Sequence, residues 1–326
     1  MVPGFVDTHC HGALGADFST SAEEPIRQSL TRLHEQGTTT VVASIVTTHP
    51  DEMLRAATLL GTLAFDGTVA GIHIEGPFLS HARCGAQDPQ WLLNPDLELT
   101  AQLIHASGQT VRTMTYAPEL EGANTLVDFL TSHGVVPSIG HTDADAPTAE
   151  ASLAYARERM VASGSGAAAP TVTHLFNGMP TIHHRSPGPV MACLRAAARG
   201  EAVIELIADT LHIDPYMVES IFELIGADNT ALVTDSMAAA GLEDGTYQLG
   251  PATVHVNKAA RDPQHVQCDR RRNRVHARHL SKHCPSRSPL RRCHPLSHRS
   301  TRTPLRAKQA RREPGIGLER RRRSSQ

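Results

Sequence analysis

Eight short β-branched runs separated by seven longer helical patterns constrain this 326-residue chain more than any other feature. The runs are Val2–Thr8, Thr38–Thr47, Val69–Glu75, Thr110–Ala117, Val135–His141, Thr171–Phe176, Ala202–Asp209 and Thr230–Asp235. Between them the periodicity predicts helices over Ala22–Gln36, Asp51–Leu63, Asp96–Ser107, Thr125–His133, Ala146–Ala162, Pro189–Arg199 and Pro215–Ile225. The first opens on a capping-box pattern, Ser21-Ala-Glu-Glu24, and closes at Gly37. Strand, helix, strand in steady repetition implies a parallel sheet, and eight such strands predict an α/β fold of the closed (β/α)8 TIM type. Beyond the eighth strand, Thr246–Leu249 and Thr253–Val256 flank Gly250-Pro251 as a small hairpin, with no eighth helix to follow.

Charge shows where this pattern stops. The chain's net charge of −2 conceals two unlike parts: residues 1–258 carry 11 basic and 29 acidic side chains, residues 259–326 carry 20 and 4. All seven Phe, all four Tyr, Trp91 and all eight Met precede position 258. The basic segment has too little apolar surface to offset chain entropy, so residues 1–258 are expected to form the folded barrel and 259–326 a disordered tail. No run approaches the roughly 18 apolar residues of a membrane span, and the first residues lack a signal-peptide pattern, which predicts a cytoplasmic protein without a membrane partner. The six cysteines are widely spaced and are expected to be free thiols.

In such barrels chemistry gathers at the carboxyl ends of the strands. Here those ends read His9-Cys10-His11, His73-Ile-Glu75, Gly140-His141, Thr173-His174, Asp209 and Asp235. His9 and His11, two apart on a strand, share one face while Cys10 takes the other. Singly, each residue has a bland reading: a backbone-satisfied core histidine for His141 or His174, a salt-bridged acid for Glu75, a turn cap for Asp235. Together, imidazoles and a carboxylate suit zinc or a similar divalent ion, and three protein ligands with one open position make a catalytic site. Asp235 is then placed as general base towards a water on the metal. Lys258 is the only lysine before position 259, which excludes a bridging carboxylated lysine.

Six segments, in order, resemble the N-acetylglucosamine-6-phosphate deacetylase family of the amidohydrolase superfamily: residues 3–12 (Pro-Gly-Phe-Val-Asp-Thr-His-Cys-His-Gly), 71–80 (Gly-Ile-His-Ile-Glu-Gly-Pro-Phe-Leu-Ser), 140–144, 174–180, 183–188 and 232–241. The resemblance implies Glu75, His141 and His174 as metal ligands, His9 and His11 as ligands of a second ion where one is held, and Asp235 as the catalytic acid-base. It further implies Asn177 and the Gly178 backbone at the sugar phosphate, Arg185 and His212 on the phosphate, and a homodimer. The implied activity is hydrolysis of N-acetylglucosamine 6-phosphate to glucosamine 6-phosphate and acetate, in amino-sugar catabolism. At Gln87 the family more often has histidine on the substrate side; glutamine keeps a donor and an acceptor but no charge.

The resemblance also implies a small β-sandwich built from both chain ends, which this sequence lacks, and the change at Lys258-Ala259 reads as translation in a shifted frame. Three rival readings stay open. One is an amidohydrolase acting on a different amide. Another is non-specific adhesion of nucleic acid to the basic tail. The third is an inactive product, its barrel flank uncovered by the absent helix.

Overall fold

The computed structural model describes residues 3–165, 169–249, 252–256 and 274–277. Eight strands, β1 (Phe5–Cys10), β2 (Thr38–Ile45), β3 (Gly71–Glu75), β4 (Val111–Tyr116), β5 (Val136–Ile139), β6 (Thr171–Val172), β7 (Val203–Ile207) and β8 (Thr230–Val233), pair in parallel in chain order. Seven helices alternate with them: α1 (Glu23–Glu35), α2 (Pro50–Phe65), α3 (Leu97–Ala106), α4 (Ala123–Ser132), α5 (Ala146–Ala162), α6 (Gly188–Ala198) and α7 (Pro215–Ile225). The circle is completed where Asp235 N donates to His9 O at 2.9 Å and His11 N to Ser236 O at 2.8 Å. The buried Asp7 carboxylate reinforces this seam by accepting from Thr234 Oγ1 at 2.6 Å and Thr234 N at 3.2 Å. The fold is the expected (β/α)8 barrel.

Local chemistry explains the regularity. Helices start where an aspartate accepts from the first free amides, Asp96 from Glu98 and Leu99 N, Asp145 from Thr148 N, Asp214 from Tyr216 N, each cap contributing about 1 kcal/mol. They hand the chain back through glycines at positive φ, such as Gly67 at +83° and Gly200 at +70°, where a side chain would strain the turn. The capping box expected at Ser21 does not form: α1 is capped at Ala22 with no side-chain bond, because Ser21 Oγ accepts from Asp17 N instead.

Aliphatic side chains such as Ile72, Ile74, Met53 and Leu60 fill a continuous buried core. Inside the barrel runs a polar layer in which Ser44 Oγ, His73, Thr115 Oγ1, Thr173 Oγ1 and Ser138 Oγ form a chain of bonds of 2.7–2.9 Å. Both His73 nitrogens are used there. Burial and the neighbouring His9 hold the ring's pKa well below 6.5, so His73 is a neutral structural residue beneath the site.

Among the described residues no helix follows β8. Thr230, Ala231 and Leu232 on β8 are half-buried, and Phe5 on the adjoining β1 is 64 % exposed. The expected hairpin forms as β9 (Gly245–Leu249) antiparallel to β10 (Ala252–Val256). Within the segment expected to be disordered, Arg274–Ala277 runs as a further strand, β11, parallel to β10. An open hairpin edge, with its unpaired backbone groups, is a template for such pairing. The rest of the 259–326 expectation lies outside the described residues. No helix among the described residues is long and apolar enough to cross a membrane, and the buried Cys10 and Cys193 are free thiols.

Candidate metal centre

The strand ends bring six expected residues together at the barrel mouth. His9 Nε2 lies 3.0 Å from His11 Nε2, 3.2 Å from Asp235 Oδ1 and 3.6 Å from Glu75 Oε1. Glu75 Oε1 lies 2.9 Å from His174 Nε2 and 3.1 Å from His141 Nε2, and its Oε2 lies 3.2 Å from His11 Nε2. Cys10 points the other way, its thiol 3.3 Å from Ser236 Oγ, and burial pushes that thiol up to about 12. His141, His174 and Asp235 each sit at positive φ, +48°, +29° and +47°, just beyond their strands. That conformation is costly for a residue with a side chain, and here it accompanies three side chains turned into one centre.

Proton bookkeeping shows what the cluster fits. A neutral imidazole carries one N–H. The Arg83 carbonyl, an acceptor only, takes it from His141 Nδ1 at 2.8 Å, and the Glu205 carboxylate takes it from His9 Nδ1 at 3.2 Å. The Nε2 lone pairs of both rings therefore face the oxygens of Glu75 and Asp235, an arrangement that is repulsive without a cation between them. In the metal-free protein extra protons fill that role. Burial pushes the His9 and His11 pKa values down, but Asp235 and Glu75, with Glu205 at His9, outweigh it and lift them to about 9 and about 10. Burial likewise opposes ionisation of Glu75 and Asp235, yet the histidines hold both carboxyls well below the usual range. Two sets place three ligand atoms within 4.8 Å of one another, His9 with Glu75 and His174, and His9 with His11 and Asp235. Imidazole and carboxylate donors of this kind fit a divalent ion.

The remaining expected residues are placed unevenly. Gln87 is buried with both ends spent on protein: Nε2 donates to Glu75 Oε2 at 2.6 Å and Oε1 accepts from Thr47 N at 2.7 Å. It braces the Glu75 carboxylate from the side of Thr47, because its amide fits between a carboxylate and a backbone N–H. Asn177 Nδ2 donates to His174 O at 3.2 Å. Arg185 sits in the exposed stretch 181–187, and among the described residues its guanidinium makes no ion pair. His212 is bonded to Asp209, Nδ1 to Oδ2 at 2.7 Å, so Asp209 acts as a local cap and not as a member of the cluster. Burial lowers the His212 pKa, but that carboxylate more than offsets it.

Glu205 is the contact the strand-end reading passed over, because it lies inside β7. A carboxylate in an apolar strand, Val-Ile-Glu-Leu-Ile, was the available signal, since a buried charge must find partners. Gly178, whose backbone the resemblance puts at the sugar phosphate, also closes on the His141 ring: at φ +60° an added Cβ would lie 2.8 Å from His141 Nδ1. Gly85 shuts the opposite side, with a Cβ 3.1 Å from His141 Cε1. Gly178→Ala is therefore expected to cost about 1–2 kcal/mol in backbone strain and to displace His141. Urea denaturation and zinc content of the purified variant check this; normal zinc retention would contradict it.

A parallel (β/α)8 barrel with histidines and carboxylates converging at its strand ends defines the class, the amidohydrolases. The model of the Amidohydrolase family matches residues 1–120. The chain is 33% identical over 268 residues to the N-acetylglucosamine-6-phosphate deacetylase of Bacillus subtilis (strain 168), covering 78% of this chain and 63% of the relative. It is 34% identical over 263 residues to the enzyme of that name from Lysinibacillus sphaericus, covering 79% and 64%. Among solved structures, a Mycobacterium smegmatis N-acetyl-D-glucosamine-6-phosphate deacetylase mutant in complex with N-acetyl-D-glucosamine-6-phosphate is 37% identical at a TM-score of 0.71, covering 78% of this chain and 63% of that one. The chain is thus similar to N-acetylglucosamine-6-phosphate deacetylases over 78–79% of its own length. It spans a little under two thirds of the length of these relatives.

Proposed function

We propose that the chain hydrolyses the acetamide of N-acetylglucosamine 6-phosphate, giving glucosamine 6-phosphate and acetate in cytoplasmic amino-sugar catabolism. Glu75, His141 and His174 would hold one divalent ion, zinc first among candidates, and His9 and His11 a second. A bound ion supplies a Lewis acid for the amide carbonyl and acidifies the attacking water. The observation that carries the reading is the position of Asp235: its carboxylate touches His9 and His11, yet 21% of the side chain stays open at the barrel mouth. Asp235 is ionised and open on one side, a position from which it can take a proton from water and hand it to the leaving amine. His141 and His174 orient the Glu75 carboxylate, which Gln87 fixes from the other side.

Recognition of the phosphate falls to Arg185, whose guanidinium suits bidentate contact, and to His212, whose protonated form Asp209 favours, with Asn177 and the Gly178 backbone at the sugar. A second copy of the chain would complete this exposed face as a homodimer. Residues 1–258 form the catalytic unit in this reading, and the basic segment beyond adheres to polyanions without sequence preference. Acetate release from N-acetylglucosamine 6-phosphate and from unphosphorylated N-acetylglucosamine tests the assignment. A large preference for the phosphorylated sugar is expected; equal rates would remove the phosphate contacts, and no release from either would remove the activity.

A further inference from the structure

Four histidines meet at the centre, and their far nitrogens fall into three different environments. His141 Nδ1 meets the neutral Arg83 carbonyl at 2.8 Å. His11 Nδ1 and His174 Nδ1 are buried with no hydrogen-bond partner. Only His9 Nδ1 meets a carboxylate, Glu205 Oε2 at 3.2 Å. The same Oε2 accepts from the backbone N–H of His174 at 3.3 Å, and the other oxygen, Oε1, accepts from Thr8 Oγ1 at 3.3 Å. Glu205 thus sits on β7 between the ends of β1 and β6 and touches the side chain of one ligand and the backbone of another. It is itself buried and touches none of the reacting groups.

From this we propose that Glu205 is a positioning residue for the metal centre. Its carboxylate locks His9 in the tautomer protonated at Nδ1, leaves the Nε2 lone pair for the ion, and raises the donor strength of that one imidazole above the other three. The inference rests on the metal-dependent reading above. A carboxylate behind a ligating histidine fixes ring orientation and basicity, and its loss typically lowers metal affinity roughly 10–100-fold. Because His9 belongs to both three-atom ligand sets, its orientation bears on either ion position. The Oε2 bond to His174 N adds a mechanical link, since His174 sits at φ +29° and needs its backbone held there.

The test is zinc affinity of the full chain, stripped by chelator and titrated with zinc ion alone against a competing chelator dye. Glu205→Gln keeps the shape and an acceptor oxygen for His9 but removes the charge, and is expected to weaken zinc binding by roughly 10–100-fold. In a His9→Ala background the same substitution is expected to lose most of its effect, keeping only what the bond to His174 N contributes, an outcome that a merely structural role for Glu205 would not produce. Thr8→Val removes a Glu205 partner and leaves its charge, so its affinity should stay within about twofold of the parent. Equal affinity of Glu205→Gln and parent, or an undiminished drop in the His9→Ala background, overturns the inference. Should Glu205→Gln not fold, ring nitrogen NMR of the zinc-loaded parent decides: a proton on His9 Nδ1 supports the inference, and a proton on Nε2 overturns it. A parent chain that takes up no zinc would overturn the metal reading itself and this inference with it, a failure distinct from a zinc-binding parent indifferent to Glu205.

Discussion

Asp235→Asn is expected to lower kcat for acetate release roughly 10²–10⁴-fold, the usual contribution of a positioned general acid-base, while substrate affinity changes little. Asparagine has nearly the same shape and keeps the backbone bond from Asp235 N to His9 O that closes the barrel. What it loses is the capacity to carry a proton from water to the leaving nitrogen. The position also faces His9 Nε2 at 3.2 Å and His11 Nε2 at 3.4 Å, so zinc content must be measured beside the rate. A rate loss at unchanged zinc content identifies proton transfer as the lost function. A variant within tenfold of the parent would show that the proton travels by another group.

The contrast between Asp235 and its neighbours shows what the sequence reveals. Helix periodicity located Ala146–Ala162 and Pro215–Ile225 to the residue, because an apolar stripe ended by aspartate caps and glycine turns is a purely local signal. Strand lengths were less legible. The runs expected to reach His141 and Phe176 stop at Ile139 and Val172, since His141, His174 and Phe176 leave the sheet at positive φ, a conformation their residue types do not announce. The cluster of Glu75, His9, His11, His141, His174 and Asp235 was legible because barrel topology alone gathers strand ends. Glu205, Gln87 and Gly178 act by touching those residues across 12 to 196 positions of sequence, and such contacts leave no trace in spacing. Asp209 illustrates the opposite error: it ends a strand as Asp235 does, yet its carboxylate is used by Leu211 N, His212 N and the His212 ring.

Zinc affinity is expected to rise with pH by about tenfold per unit for each proton displaced, from pH 6 towards pH 9. The sign follows from the histidines. In the metal-free cluster His9 and His11 are raised to about 9 and about 10 by Asp235 and Glu75 against the pull of burial, so at neutral pH the site holds protons where an ion would sit. The two Nε2 atoms are only 3.0 Å apart, which disfavours charging both rings at once. At least one proton must therefore leave when zinc enters, and over three pH units the gain reaches about a thousandfold. The same shifts give the metal-free fold a contribution to stability that is complete below about pH 6.5, the unfolded histidine value. That contribution is lost as pH rises through about 9 and 10, opposite in sign to the usual carboxylate effect. Zinc and alkali thus act on one pair of ring nitrogens. Loading the site should protect the chain most where the protons have already gone, and denaturation of stripped and zinc-loaded protein at pH 7 and pH 9.5 measures it. A gap between the two forms that stays constant across this range would mean that neither His9 nor His11 gives up a proton to the ion.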